Sequence, residues 1–353
     1  MAGPGLLKKE NFMFNFIARR LLQIPLVLFV LSLIIMGLMQ LLSPQQRAAA
    51  FVTSDKQIEN LDLIIEKYHL DEGFVVQYKL WAKEVLHGNL GFSRISKEPV
   101  LTTIRKRLPA STELALAAFV PIVLVGVWLG TIAATHRDGL IDQTLRVVAI
   151  IGWSLPTFVV AIWLVAWVYG GLGWFGIGRL PNNLLIELAS SDFHRYTGMY
   201  TIDGLLNGRL DITYEALKRL VLPATALVIV VSAGIMRVMR SSMLDELGKD
   251  YVRTARAKGL PEKTVVYKHA RRNALIPVIT MAGPMLGRMI GGIVVIELIF
   301  NFPGLGEWAA KAALQLDVTT LLAFVMLIGL IMAVANLLVD IAYVIVDPRI
   351  RYE

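Results

Sequence analysis

The segment DYVRTARAKGLPEKTVVYKHARRNALIP, from Asp250 to Pro277, is strongly basic and lies between two apolar stretches long enough to cross a bilayer. Residues 242–258 read as a helix. Asp245 and Glu246 fall early in it and Arg256 and Lys258 in its last turn, as the helix dipole prefers. Gly259 stands where a left-handed residue closes a helix. Pro261, with Glu262 beside it, suits the first turn of a second helix. Val265, Val266 and Ala270 then form an apolar stripe, opposite Lys263, Lys268, Arg271 and Arg272. The expectation is a rigid helix–turn–helix over residues 242–273. A loop that merely fixes topology has no need of two short helices joined through Gly-x-Pro. Such a knob suits a groove on a soluble partner, where it could move the spans attached to it.

Outward from the hairpin, the chain of 353 residues is 56% hydrophobic and only 18% charged. Its mean hydropathy is +0.62. Charge and hydrophobicity are segregated along the sequence, which is the pattern of a membrane protein. A spanning helix needs about 20 mostly apolar residues. Six segments qualify, at about 21–42, 112–134, 147–169, 220–239, 275–300 and 320–346. The reading is an all-α membrane protein with an N-terminus and first span over 1–42 and a large helical outer loop over 43–111. A five-span core over 112–346 and a tail over 347–353 follow. Ala48-Ala49-Ala50 resembles a signal cleavage site. The apolar run before it, about 21 residues, exceeds the h-region of a signal peptide and favours an uncleaved anchor.

Lys8, Lys9, Arg19 and Arg20 precede the first span and place the N-terminus in the cytoplasm. Six spans return the C-terminus to the same side. The 244–273 loop carries eight Lys and Arg, whereas the loop 301–317 on the opposite face carries only Lys311, in agreement. The outer loop 43–111 is also basic near its end, but long loops cross largely regardless of charge. In it Ile58, Leu61, Ile64 and Ile65 recur at helical spacing, as do Val75, Tyr78, Trp81 and Val85, with Gly73 and Gly88 as breaks. The second outer loop, 170–217, is polar and aromatic.

The net charge of +8 does not point to nucleic acid, because most Lys and Arg flank apolar spans, where they set orientation and meet anionic lipid. The absence of cysteine excludes disulfides and thiolate metal sites. The five histidines are scattered, with no pair at helical spacing for a metal. No G-x-x-x-x-G-K-[ST] loop is present, so the chain has no such cradle for ATP. An intramembrane enzyme would need a nucleophile–base pair or ligand set within the spans, and no span holds a His. An ion-driven secondary transporter favours acidic residues at mid-depth, whereas the conspicuous intramembrane charge here is Arg288. Arg288 either lines a pathway or pairs with a neighbouring subunit. Glu297 lies further out, where it could snorkel to the interface. Gly283, Gly287, Gly291 and Gly292 give that span a small-residue face suited to close packing or a pathway wall.

The stretch YVRTARAKG from Tyr251 to Gly259, followed by HARRNALIP from His269 to Pro277, resembles the coupling loop of ATP-binding-cassette (ABC) importer permeases. It is similar to the peptide/nickel branch, in the first of its two paired permeases. The general pattern of Glu-Ala-Ala, three residues, then Gly is met here only by Ala255 and Gly259, and Pro277 lies five residues late. Both departures are those of the peptide branch. Arg19 to Pro44, Gly88 to Thr112, Ser154 to Val165, Arg219 to Leu227, Val294 to Trp308 and Asp347 to Tyr352 resemble the family in the same order, so the likeness covers nearly the whole chain. It implies a non-enzymatic permease subunit of a binding-protein-dependent importer in a prokaryotic inner membrane. Oligopeptides or dipeptides are the implied cargo, with oligosaccharides or a nickel complex as alternatives within the branch. It implies a homologous second permease, two cytoplasmic ATPases that hold ATP and Mg, and an extracytoplasmic binding protein. This chain itself would bind no cofactor. Tyr251, Arg253, Ala255, Arg256, Lys258, Gly259 and Pro261 would form the coupling contact, and Arg288 and Glu297 would lie on the translocation pathway. Arg253 and Lys258 have a plainer reading as lipid-facing charges. Residues 174–183 and 301–308 would be docking surfaces for the binding protein, the latter with a plainer reading as a turn that caps the fifth span.

Overall fold

Long helices dominate the computed structural model, which describes residues 4–48 and 60–346. Ile58, Ala49, Ala50 and the tail 347–353 lie outside these residues, as do the side chains of Lys8, Lys9, Arg19 and Arg20. Helix α1 (Pro4–Met39) holds the first span, and α2 (Pro44–Ala48), α3 (Leu61–Lys67) and α4 (Phe74–Leu86) fill the first loop. A small hairpin, β1 (Phe92–Ser93) against β2 (Glu98–Pro99), leads into α5 (Val100–Thr135). After α5 come α6 (Leu140–Ser154) and α7 (Thr157–Leu164), which continues as a π-turn over Val165–Gly171. Two short outer helices, α8 (Asn182–Ser190) and α9 (Tyr200–Leu206), precede α10 (Leu210–Leu247). The basic segment supplies α11 (Asp250–Ala257) and α12 (Glu262–Thr264), joined through a π-turn over Val265–Ala270 to α13 (Arg271–Ile290). The chain ends on α14 (Val294–Ile299), α15 (Leu305–Leu314) and α16 (Val318–Val346).

Five helical stretches are long and apolar enough to cross a membrane, and a sixth results if α6 and α7 count as one broken span. The centre of the bundle is the parallel pair α5 and α10, the most extensive helix contact among the described residues. Small residues allow it. A Cβ added at Gly126 would lie 2.5 Å from Ile235 Cβ, and one at Gly130 would lie 2.7 Å from the Met236 carbonyl. Backbones that close interlock directly, without long side chains between them. Leu114, Ile122, Ile235 and Met239 build the buried core there.

The third span, expected over 147–169 with Pro156 inside it, is not one straight helix. It bends by 93° between α6 and α7. Pro156 is the cause: it offers no N–H and pushes the preceding residue out of the helical region. Leu155 accordingly sits at φ −80°, ψ 128°. The fifth span also differs from the expected 275–300. It begins at Glu262 and stops at Ile290. Gly292 has φ +117°, and a Cβ there would lie 2.6 Å from the Gly306 amide nitrogen. Only glycine fits such a turn, so the chain leaves the bilayer direction here. Residues 294–314 form a corner of two short helices instead.

The first loop is helical as its periodicity predicts, with Ile64 and Trp81 buried and Gly88 at φ +82° closing α4. Helix α5 starts well ahead of Thr112, so Arg105-Lys106-Arg107 stands on its first turns rather than in a loop.

Candidate functional site

The hairpin is built from the end of α10, α11, α12 and the π-turn. The expected helix over 242–258 is two helices. Gly248 caps α10, Lys249 turns the chain at ψ 154°, and α11 starts at Asp250. Asp245 and Glu246 therefore close one helix rather than open the next. Glycine's low helix propensity at Gly248 suits the break.

The turn itself follows the sequence. Gly259 is left-handed at φ +74°, with nothing near its missing Cβ. Its N–H donates to the Arg256 carbonyl at 2.9 Å, and the Thr264 N–H to that of Pro261 at 2.8 Å. Pro261 precedes α12 as its extended cap, at φ −59°, ψ 138°, rather than lying in its first turn. Across the turn, Arg256 grips Glu262 with two hydrogen bonds, Nε at 3.1 Å and Nη2 at 2.7 Å.

The two sides of the hairpin differ. Val252, Ala255, Val265, Val266 and Ala270 are buried and belong to the same apolar core as α5 and α10. Tyr251 fixes the base: its hydroxyl donates to Glu246 at 2.5 Å and accepts from Asn273 Nδ2 at 3.1 Å. Burial, with the Glu246 carboxylate beside it, pushes the Tyr251 phenol up to about 12, so it stays a neutral donor at physiological pH. On the far side, Arg253, Arg256, Lys258, Lys263, Lys268 and Arg272 are exposed. Arg253 has only a loose contact with Asp250, at 3.4 Å. A cleft of about 590 Å³ lies between this hairpin and the end of α5. Arg137, Leu244, Leu247, Arg256, Lys263 and Tyr267 are among its lining residues.

The structure thus brings Tyr251, Arg253, Ala255, Arg256, Lys258, Gly259 and Pro261 into one knob. Arg288 and Glu297 lie elsewhere and apart from each other. Arg288 sits in the last turn of α13, exposed, because Gly291 and Gly292 end the helix earlier than expected. No ion pair holds it among the described residues. Gly287 and Gly291 beside it pack against Met332, Ala335 and Ile328 of α16, so the small-residue face serves helix packing.

Glu297 does not snorkel. It is fully buried in the corner formed by α14 and α15. Ser111 Oγ donates to it at 2.6 Å and the Glu307 N–H at 2.8 Å. Ser111 in turn accepts from the Leu305 N–H at 2.8 Å. A Cβ at Gly304 would run into the Glu297 carboxylate, so the glycines of the 301–306 turn make room for it. Arg107 donates to Glu307 at 2.5 Å, and Lys311 pairs with Glu307 as well. This corner joins α5 to the break in the fifth span.

Sequence reasoning missed Glu246 and Asn273, the partners of Tyr251, because they meet it only through the folded hairpin. It also missed Asp142, which is buried and held by Arg240 through two 2.6 Å hydrogen bonds. The partners are far apart in the chain, so no spacing announces them.

The chain matches known proteins over nearly its whole length. The family model of the binding-protein-dependent transport system inner membrane component covers residues 126–352. The corresponding N-terminal model covers residues 13–115. A dipeptide transport system permease protein of Alkalihalophilus pseudofirmus is 34% identical, over 96% of this chain and all of the relative. A probable D,D-dipeptide transport system permease protein of Escherichia coli is 36% identical, over 92% of each. An oligopeptide transport system permease protein of Bacillus subtilis is 34% identical, over 95% of this chain and 98% of the relative. A bundle of apolar helices carrying one basic, core-anchored knob, matched over both its halves, belongs to the inner-membrane components of binding-protein-dependent transport systems.

Proposed function

We propose that this chain is the permease subunit of an ATP-driven importer of dipeptides or oligopeptides. The peptide class rests on the names of the three relatives. The observation that carries the mechanism is the two-sided hairpin: an apolar inner face continuous with the bundle core, and an outer face of exposed basic side chains around a glycine turn. A knob of that kind transmits displacement, because its inner face cannot slip relative to α5 and α10 without opening the core.

In this reading the membrane is crossed six times, with the broken α6–α7 pair as the third crossing and both termini in the cytoplasm. The hairpin docks on one of two cytoplasmic ATPases, which hold ATP and Mg. Arg253, Lys258 and Lys263 make its outer contacts, Gly259 and Pro261 shape its tip, and Arg256 holds the tip closed through Glu262. Tyr251 and Ala255 anchor it to the bundle. A homologous second permease completes the pathway, and an extracytoplasmic binding protein delivers cargo onto the outer loops, including 174–183 and 301–308. Exposed Arg288 faces the pathway or the second permease. Glu297 serves the pathway indirectly, by holding the outer corner in place.

The test is purification of the tagged chain with its neighbours. Wild type should bring a homologous permease and two ATPases. Replacing Arg256 and Gly259 together (R256A/G259V) should release the ATPases and leave the second permease bound. Peptide uptake into liposomes by the chain alone, without ATP, would overturn the assignment.

A further inference from the structure

A second cluster of arginines lies away from the hairpin, on the flank of the bundle. Helices α6 and α10 pack side by side. Between them, toward their hairpin ends, is a cleft of about 490 Å³ lined by Arg146, Ile150, Met236, Arg237, Arg240 and Ser241 among others. Only one of its three guanidinium groups is neutralised. Arg240 is taken by buried Asp142, whose Oδ2 also accepts the Asp138 N–H at 3.0 Å. Arg146 and Arg237 are exposed, and neither has a carboxylate within salt-bridge distance among the described residues. The Arg237 guanidinium instead lies 5.5 Å over the Trp153 ring.

Depth narrows the ligand. At a rise of about 1.5 Å per residue, Arg240 and Arg237 stand roughly 10 and 15 Å from the end of α10, and Arg146 roughly 9 Å from the start of α6. All three lie in the hairpin-side part of the bundle. Farther from the hairpin, α6 carries Ile150 and Trp153 on the same face as Arg146, each more than half exposed. The cleft thus has a positive floor near the interface and an apolar wall rising toward the bilayer centre. Two exposed arginines without a carboxylate partner near the interface attract an anion, and the wall continues where an acyl chain would lie. Basic pockets between spanning helices take anionic headgroups for this reason.

We propose that Arg146 and Arg237 hold the phosphate of an anionic phospholipid, with one acyl chain against Ile150 and Trp153. Arg240 and Asp142 position the cleft and do not touch the ligand.

Native mass spectrometry of the complex in phosphatidylcholine nanodiscs, titrated with phosphatidylglycerol, tests this. Wild type should retain phosphatidylglycerol specifically. The double variant R146Q/R237Q should lose affinity by about thirtyfold, from two charges at the membrane surface. R146K/R237K should keep most of it. Equal retention by wild type and the glutamine variant overturns the proposal. So does equal retention of phosphatidylcholine. A third result also overturns it: lipid retention kept, but peptide-stimulated ATPase activity losing its preference for a free C-terminal carboxylate, which would make the cleft a substrate site. Should the arginine variants not fold, a measurement that leaves both arginines in place replaces them. Brominated phosphatidylglycerol should quench the Trp153 component of fluorescence, defined by W153F, more strongly than brominated phosphatidylcholine. Equal quenching by the two lipids overturns the proposal.

Discussion

The residue that most changes meaning between sequence and structure is Glu297. In one dimension it is an acid near the end of an apolar run. In the fold it is the acceptor that gathers Ser111, Glu307 and the 301–306 turn. Its removal leaves a buried hydroxyl and a buried N–H without a partner, each costing about 1–3 kcal/mol. Glu297→Ala should therefore destabilise the chain by about 3 kcal/mol, read as a lowered melting temperature in detergent. Glu297→Gln, which keeps an acceptor oxygen, should fall between. A melting temperature unchanged by the alanine would show that the corner carries no stability. Tyr251 poses the opposite case. Its place in the hairpin was legible, but not its bond to Asn273, since the donor lies 22 positions away and only the closed turn brings it near.

At the level of elements, the turn chemistry and the apolar periodicities were readable and the glycine breaks were not. Gly259 and Pro261 carry their conformations in their covalent structure, so the hairpin tip followed from the sequence alone. Pro156 marks by its residue type a place where a helix can kink, whereas Gly248 and Gly291-Gly292 each interrupt a run that reads as continuous. Hydropathy averages over a window and a break is a single backbone event, so it passes unnoticed. The close contact between α5 and α10 was invisible for a related reason: Gly126 and Gly130 matter by what faces them. Gly126→Ala should cost about 1–3 kcal/mol by overpacking against Ile235. Gly37→Ala in α1, where nothing lies within 4 Å, should instead be neutral or stabilise by up to about 1 kcal/mol. Thermal melts of the two variants side by side would check both the sign and the ranking. Equal effects would mean that helix propensity, not contact, governs them.

For the molecule as a whole, the absence of cysteine makes orientation directly measurable, since each introduced thiol reports without background. Lys258→Cys should resist a membrane-impermeant maleimide in intact cells and react after the membrane is opened. Asn183→Cys, in the second outer loop, should react in both. The reverse pattern would invert the proposed topology. The broken third crossing carries a further consequence, for how the chain enters the membrane as it is made. Helix α6 has 15 residues, about 22 Å, and α7 with its π-turn is no longer. Neither alone bridges about 30 Å of hydrocarbon. Gly152 of α6 rests on the Ile229 carbonyl of α10, a helix synthesised only after both halves have emerged. The third crossing must therefore wait, half-settled, for the fourth to arrive. A nascent chain ended before residue 210 should leave a reporter at its terminus split between the two sides of the membrane, whereas one extended past residue 247 should place it on a single side.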